Sequence, residues 1–135
     1  MRADDLGKEI SIAAEIIEEL KIHSAIEEEI FYPAIRKSIG KKIMTDADEA
    51  HQVAKILIAG LKKMNGKEDH YDAKFEVLAE NVRHHIKEEE RDMLPVTKSL
   101  SIGMRELARQ MLARKGQLQK NWRSRFCRRE NGFYE

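Results

Sequence analysis

Residues 23–33 read HSAIEEEIFYP, and residues 85–95 read HIKEEERDMLP. In both, a histidine is followed by a glutamate four positions on and by a proline ten positions on: His23, Glu27, Pro33 and His85, Glu89, Pro95. Each copy lies in a stretch patterned to be buried. Leu20, His23, Glu27 and Ile30 recur at steps of three and four, as do Leu78, Val82, His85, Glu89 and Met93, and that is the spacing of one helix face. His51 falls on a similar stripe, between Ala47 and Ala54. Three helices are therefore predicted to turn a histidine inward, two of them with a glutamate one turn further on.

Outward from these stretches the chain reads as helix almost throughout. The apolar stripe predicts a first long helix from about Asp5 to Lys37, kinked or ended early by Pro33 and stopped near Gly40, which can take the left-handed conformation. A second helix is predicted to start at Thr45, whose hydroxyl can cap it with Asp48 three residues later, and to end at MNGKED. A third runs from near Tyr71 to about Lys98, and a fourth from Ser101 to about Arg125. No stretch alternates with period two for long enough to suggest a strand. Helices of this length joined by short loops make an all-α, up-and-down bundle. At 135 residues the chain is long enough for one core and too short for two. The expected division is a bundle over residues 1–120 and a basic tail over 121–135.

Charge is unevenly spread. Residues 1–98 hold 16 basic and 21 acidic residues, and residues 99–135 hold 9 and 3, adding to the 25 and 24 of the whole chain. The tail KNWRSRFCRRENGFYE interleaves basic residues with Trp122 and Phe126, but it reads as the fraying end of a helix, and nucleic-acid binding is not expected. The lone Cys127 cannot form an intramolecular disulfide, and no run is apolar enough for a signal peptide or a membrane span, so a reducing cytoplasm is the expected location. No phosphate-binding loop is present, and Cys127 suggests no nucleophile.

The buried histidines and glutamates carry the chemistry. A His and a Glu four residues apart on a helix lie about 6 Å from each other on one face and can reach one metal or a close pair. An unpaired carboxylate in a bundle core costs several kcal/mol or must protonate, whereas a cation neutralises it and accepts neutral imidazoles as well. Three imidazoles and two carboxylates without a thiolate suit iron or manganese and argue against a structural zinc site. His84 points about 100° from His85, and Glu28, Glu29, Glu88 and Glu90 rotate off the seam toward solvent or the periphery of the site. His70 lies in a loop. Tyr32 is close enough in sequence to donate a hydrogen bond to a ligand, but packing at the end of the bundle is the expectation.

HSAIEEEIFYPAIR, EAHQVAKIL and HHIKEEERDMLP together resemble the hemerythrin-like, cation-binding HHE family. Its bundle carries a His on the first helix, His-x-x-x-Glu on the second, a His on the third and His-x-x-x-Glu on the fourth, and the last three elements match in order and spacing over roughly residues 5–118. The resemblance implies that His23, Glu27, His51, His85 and Glu89 are ligands of a non-haem di-iron centre, with Glu27 and Glu89 bridging. It implies iron ahead of manganese or zinc, and a protein that binds or senses dioxygen, nitric oxide or iron.

Two departures qualify the resemblance. The family's first helix lies some thirty residues upstream of the first His-x-x-x-Glu, and MRADDLGKEISIAAEIIEELKI contains no histidine. The expectation is a bundle truncated at its N-terminus relative to the family, completed by an upstream segment, by a partner subunit in a homo-oligomer, or by the C-terminal helix shifting into the gap. Oxygen-carrying hemerythrins also have a His-x-x-x-His where His51 is followed by Lys55, and a His-x-x-x-x-Asp where His85 is followed by Glu89. Reversible oxygen carriage is therefore not expected. The competing readings are a helical interaction module with a degenerate metal site, and a di-iron redox enzyme acting on peroxide.

Overall fold

Helix α1 covers Ala3–Ile26 and passes without a break into a π-helical turn at Glu27–Phe31 and a short helix α2 at Tyr32–Ile35. After a tight loop come α3, Lys41–Lys62, and α4, Tyr71–Glu88. A second π turn at Glu89–Met93 and a 3₁₀ segment at Leu94–Ser99 lead to α5, Met104–Gly132. This computed structural model describes the backbone of residues 3–132 and the side chains of residues 11–125. Every regular element among the described residues is helical, and the fold is the expected all-α bundle.

Periodicity explains how the long helices pack. On α3 the inward residues Met44, Ala47, His51, Ala54, Ile58 and Leu61 alternate steps of three and four, and on α4 Tyr71, Phe75, Leu78, Val82 and His85 do the same. These seams face each other, and Asn81 Nδ2 donates to the Ala50 carbonyl at 3.1 Å to tie the pair. Helix α5 runs back along α1. Leu107 packs with Phe31, Tyr32 and Ile35, Arg114 pairs with Glu29 at 2.7 Å, and Lys115 shares a cavity with His23.

Two apolar layers result. One joins Phe31, Tyr32, Ile35, Met44, Ala47, Met93 and Leu107; the other joins Ile17, Ile58, Leu61 and Leu78. Along α1, α3 and α4 the stretch between these layers is where Glu27, His51 and His85 fall. The polar groups are thus sandwiched between two dry layers.

Several boundaries differ from the sequence expectation. Gly40 has φ −62° and ψ 142°, so it is the extended residue preceding α3 and not a left-handed stop. Thr45 does not cap α3, which starts four residues earlier; its hydroxyl bonds back to the Lys41 carbonyl at 2.9 Å. The left-handed turns fall at Gly66 and Gly103, with φ of 88° and 80°. Helix α5 starts at Met104, just after Gly103, and continues through residue 120 into the basic tail; the side chains of Phe126 and Cys127 lie outside the described residues.

Candidate metal centre

Both copies of the repeated sequence build the same backbone device. Proline has no amide hydrogen and its ring crowds the carbonyl four residues back, so a regular α-helix cannot pass through Pro33 or Pro95. The residue before each proline instead reaches one further: the Tyr32 amide donates to the Glu27 carbonyl, and the Leu94 amide donates to the Glu89 carbonyl. Each π turn therefore begins at a buried glutamate. Such bulges are frequent at functional sites.

Four residues converge there. Glu27, His51, His85 and Glu89 are all buried, and each offers a donor atom within 4.8 Å of the others. His85 Nε2 lies 2.6 Å from Glu89 Oε1 and 3.1 Å from His51 Nε2. Glu27 faces both imidazoles, with 3.8 Å from Oε1 to His51 Nε2 and 3.8 Å from Oε2 to His85 Nε2. Donors about 2.1 Å from one ion and at right angles to each other are about 3 Å apart, so this spacing fits a cation. Glu27 fits it for a second reason. Neither of its buried oxygens has an aligned hydrogen bond; imidazoles face the anion without bonding it, and a cation between them would satisfy both.

His23 is placed differently from the other two histidines. Its Nε2 is 2.8 Å from Glu27 Oε1, within ion-pair distance although poorly aligned for a hydrogen bond, and the side chain is 61% exposed. The cause is a rotation of α1. Ile16 and His23 correspond in the repeat to Leu78 and His85, yet Ile16 is 41% exposed where Leu78 is 1%. Helix α1 buries Ala13 and Ile17 instead, which turns Ile16, Leu20 and His23 toward a cavity of about 440 Å³ between α1, α3 and α4, with Lys115 of α5 at its edge. The inward seam expected for His23 is thus an open wall beside the cluster.

Tyr32, for which packing was expected ahead of a hydrogen bond to a ligand, does both. It is 1% exposed, and its hydroxyl lies 2.9 Å from His51 Nε2, 2.8 Å from His85 Nε2 and 2.8 Å from Glu89 Oε1. A phenol has one proton to give and two lone pairs. Donating to Glu89 leaves it to accept from both imidazoles, which satisfies all three contacts only when each histidine carries its proton on Nε2. The available signal was Pro33, because a π turn brings the fifth residue after Glu27 back onto the site.

The surroundings set the charges. Burial alone would raise the Glu27 carboxyl, but His23 and His85 facing it outweigh that and hold it down to about 2. Burial pushes His51 down from 6.5, against the pull of Glu27. The close Glu27 carboxylate raises His23, with burial and Lys115 opposing. Burial and the neighbouring Glu27 push the Tyr32 hydroxyl far above its ordinary range, so it is protonated. Around the site, His84 pairs with Glu88 at 3.1 Å on the exposed side of α4, Glu29 pairs with Arg114, and Glu28 pairs with Lys55 at 2.5 Å. His70 is exposed, as expected of a loop residue.

Comparison with known proteins agrees with this geometry. The family model for the hemerythrin HHE cation binding domain matches residues 2–97. The crystal structure of a hemerythrin HHE cation binding domain-containing protein from Mycobacterium kansasii superposes with a TM-score of 0.71 at 26% identity, covering 84% of this chain and 71% of that one. No curated protein matches the chain significantly. None of the described helices is long and apolar enough to cross a membrane. Two buried imidazoles and two buried carboxylates sharing one centre can hold a metal ion, and the chain belongs to the hemerythrin HHE cation-binding domain family.

Proposed function

We propose that this chain is a non-haem di-iron protein that binds or senses a small diatomic molecule, dioxygen or nitric oxide, or iron itself. His51 and His85 would hold the metals through Nε2, Glu27 and Glu89 would bridge them, and His23 would reach them from the open wall. The observation that carries the proposal is Glu27: a buried carboxylate facing two buried imidazole Nε2 atoms, with no hydrogen bond to either oxygen. Iron held there would supply the electrons that binding of a diatomic ligand needs.

The chain's own residues do the rest. The cavity beside His23 gives a small ligand a path to the cluster between Ile16, Leu20 and Val82. The apolar layers on either side exclude water, and in such surroundings charge interactions within the site are stronger. In the metal-free chain Tyr32 holds three of these groups in register; with metal on the imidazole Nε2 atoms it would keep its bond to Glu89 and a protonated hydroxyl at the site. The lone Cys127 and the absence of a disulfide partner support a reducing compartment, the cytoplasm. A homo-oligomer is supported by the apolar residues left at the surface, Ile12, Ile16, Ile56, Val77 and Leu112.

Anaerobic reconstitution followed by metal analysis tests the reading. About two irons per chain are expected, with ligand-to-iron charge-transfer absorption after oxidation, and both should be lost in His85→Ala and Glu27→Ala without loss of helix. A reconstituted chain that holds no iron would sink the proposal.

A further inference from the structure

We infer that Glu28, held by Lys55, is the positioning residue for His51, fixing its imidazole for metal binding; the inference rests on the metal centre proposed above. His51 presents Nε2 to the cluster. A neutral imidazole has one proton, so an Nε2 that binds a metal requires the proton on Nδ1, and metal-bound histidines almost always donate that proton to a carboxylate, a carbonyl or a water. His51 Nδ1 is buried and has no hydrogen-bond partner among the described residues. One carboxylate oxygen of the described residues stands within ion-pair distance of it: Glu28 Oε1, at 3.7 Å. That is longer than a hydrogen bond, and it closes with a shift of under about 1 Å or with one bridging water.

The same Glu28 oxygen accepts from Lys55 Nζ at 2.5 Å. Lys55 lies one turn beyond His51 on α3, so α3 carries both the imidazole and the cation that holds the carboxylate of Glu28, in the π turn after α1, over it. A half-exposed ion pair of this kind contributes little to stability. Its position beside an unpartnered ring nitrogen is therefore the informative feature. The other copy of the repeat lacks the device. Glu90, the counterpart of Glu28, is exposed, and no described carboxylate stands within ion-pair distance of His85 Nδ1. The two buried histidines are thus inequivalent ligands, His51 backed by an anion and His85 not.

The test is anaerobic titration of the full chain with ferrous iron against a competing chelator, together with the charge-transfer absorption after oxidation and the melting of the metal-free chain. Glu28→Ala is expected to weaken iron binding by about 10- to 100-fold and to shift the absorption, with Glu90→Ala unchanged. Lys55→Met is expected to lose affinity in the same direction and Lys55→Arg to regain it. Should Glu28→Ala lower the melting temperature, Glu28→Gln, of the same size without the charge, decides: weaker iron binding at unchanged melting supports the role. Unchanged affinity and absorption in Glu28→Ala, or in a Glu28→Gln that melts normally, overturn the inference and leave the metal centre standing. Absence of iron from the unsubstituted chain overturns both.

Discussion

One oxygen of Tyr32 meets His51, His85 and Glu89, so removing it leaves three buried polar groups without their common partner. Tyr32→Phe is expected to lower the stability of the metal-free chain by about 1–3 kcal/mol, seen as a lower urea midpoint, and to change the absorption of the iron-loaded protein. An unchanged midpoint would show that the hydroxyl is replaced by water. Acid should act through the cluster as well. Glu27 is at about 2 in the folded chain against 4.5 for the free side chain, so its contribution is whole above 4.5 and is lost as pH falls through 2. That contribution is on the order of 3 kcal/mol at most. His51 is held below 6.5 by burial, so the unfolded chain binds the proton more readily and stability already declines as pH drops below 6.5. His23, raised by Glu27, works the other way: its contribution is whole below 6.5 and is lost as pH rises through its folded value. Urea midpoints of the metal-free chain should fall with acid through the Glu27 and His51 windows, and Glu27→Gln should flatten the lower one. Glu27, His51, His85 and Glu89 were legible in the sequence because a titratable residue on an apolar stripe is costly to bury unless a partner or a cation meets it. Tyr32 was legible only as the lesser alternative, since an aromatic residue on such a stripe is ordinarily core.

At the scale of elements, the two π turns link sequence to site. They follow from Pro33 and Pro95, and they place a buried glutamate at the start of each wide turn. Pro33→Ala restores an amide and lets α1 run on as a regular helix, which rotates Phe31 and Tyr32 by part of a turn relative to Glu27. The expected outcome is unchanged far-ultraviolet circular dichroism with iron affinity reduced at least several-fold. Retention of full affinity would mean that the packing of Tyr32, and not the proline, sets the turn. Helices α3 and α4 were legible because their seams alternate three and four without interruption. Helix α1 offers two overlapping stripes, Ala13–Ile16–Leu20–His23 and Ala13–Ile17–Leu20, and the chain buries Ile17 and leaves Ile16 and His23 exposed. Periodicity by itself cannot choose between stripes one residue apart. The start of α3 was displaced for a related reason: Thr45 has a capping residue's chemistry, but its hydroxyl is satisfied within the helix by the Lys41 carbonyl.

At the scale of the molecule, the packing leaves large apolar side chains in water on both α1 and α5. Ile12 and Ile16 on α1 and Leu112 on α5 are 57%, 41% and 68% exposed. Association of two chains over such residues would remove apolar surface from water at about 25 cal/mol per Å². Light scattering at micromolar concentration is expected to give the mass of a dimer or larger assembly, reduced toward the 15.7 kDa chain by Ile12→Lys together with Ile16→Lys. A monomer at every concentration would contradict the association.

The sequence by itself determined that this chain is a helical bundle, and that histidine and glutamate interrupt its seams in two matching copies. Local periodicity and the cost of burying charge are properties of the chain alone. Only the tertiary structure decided which stripe of α1 is buried, that His23 opens onto a cavity, that Tyr32 joins three of the proposed ligands, and that Glu28, paired with Lys55, stands beside His51. Those outcomes depend on how helices far apart in sequence pack side by side, and a difference of one residue in phase, about 100° around a helix, separates a ligand in the core from one at an open wall.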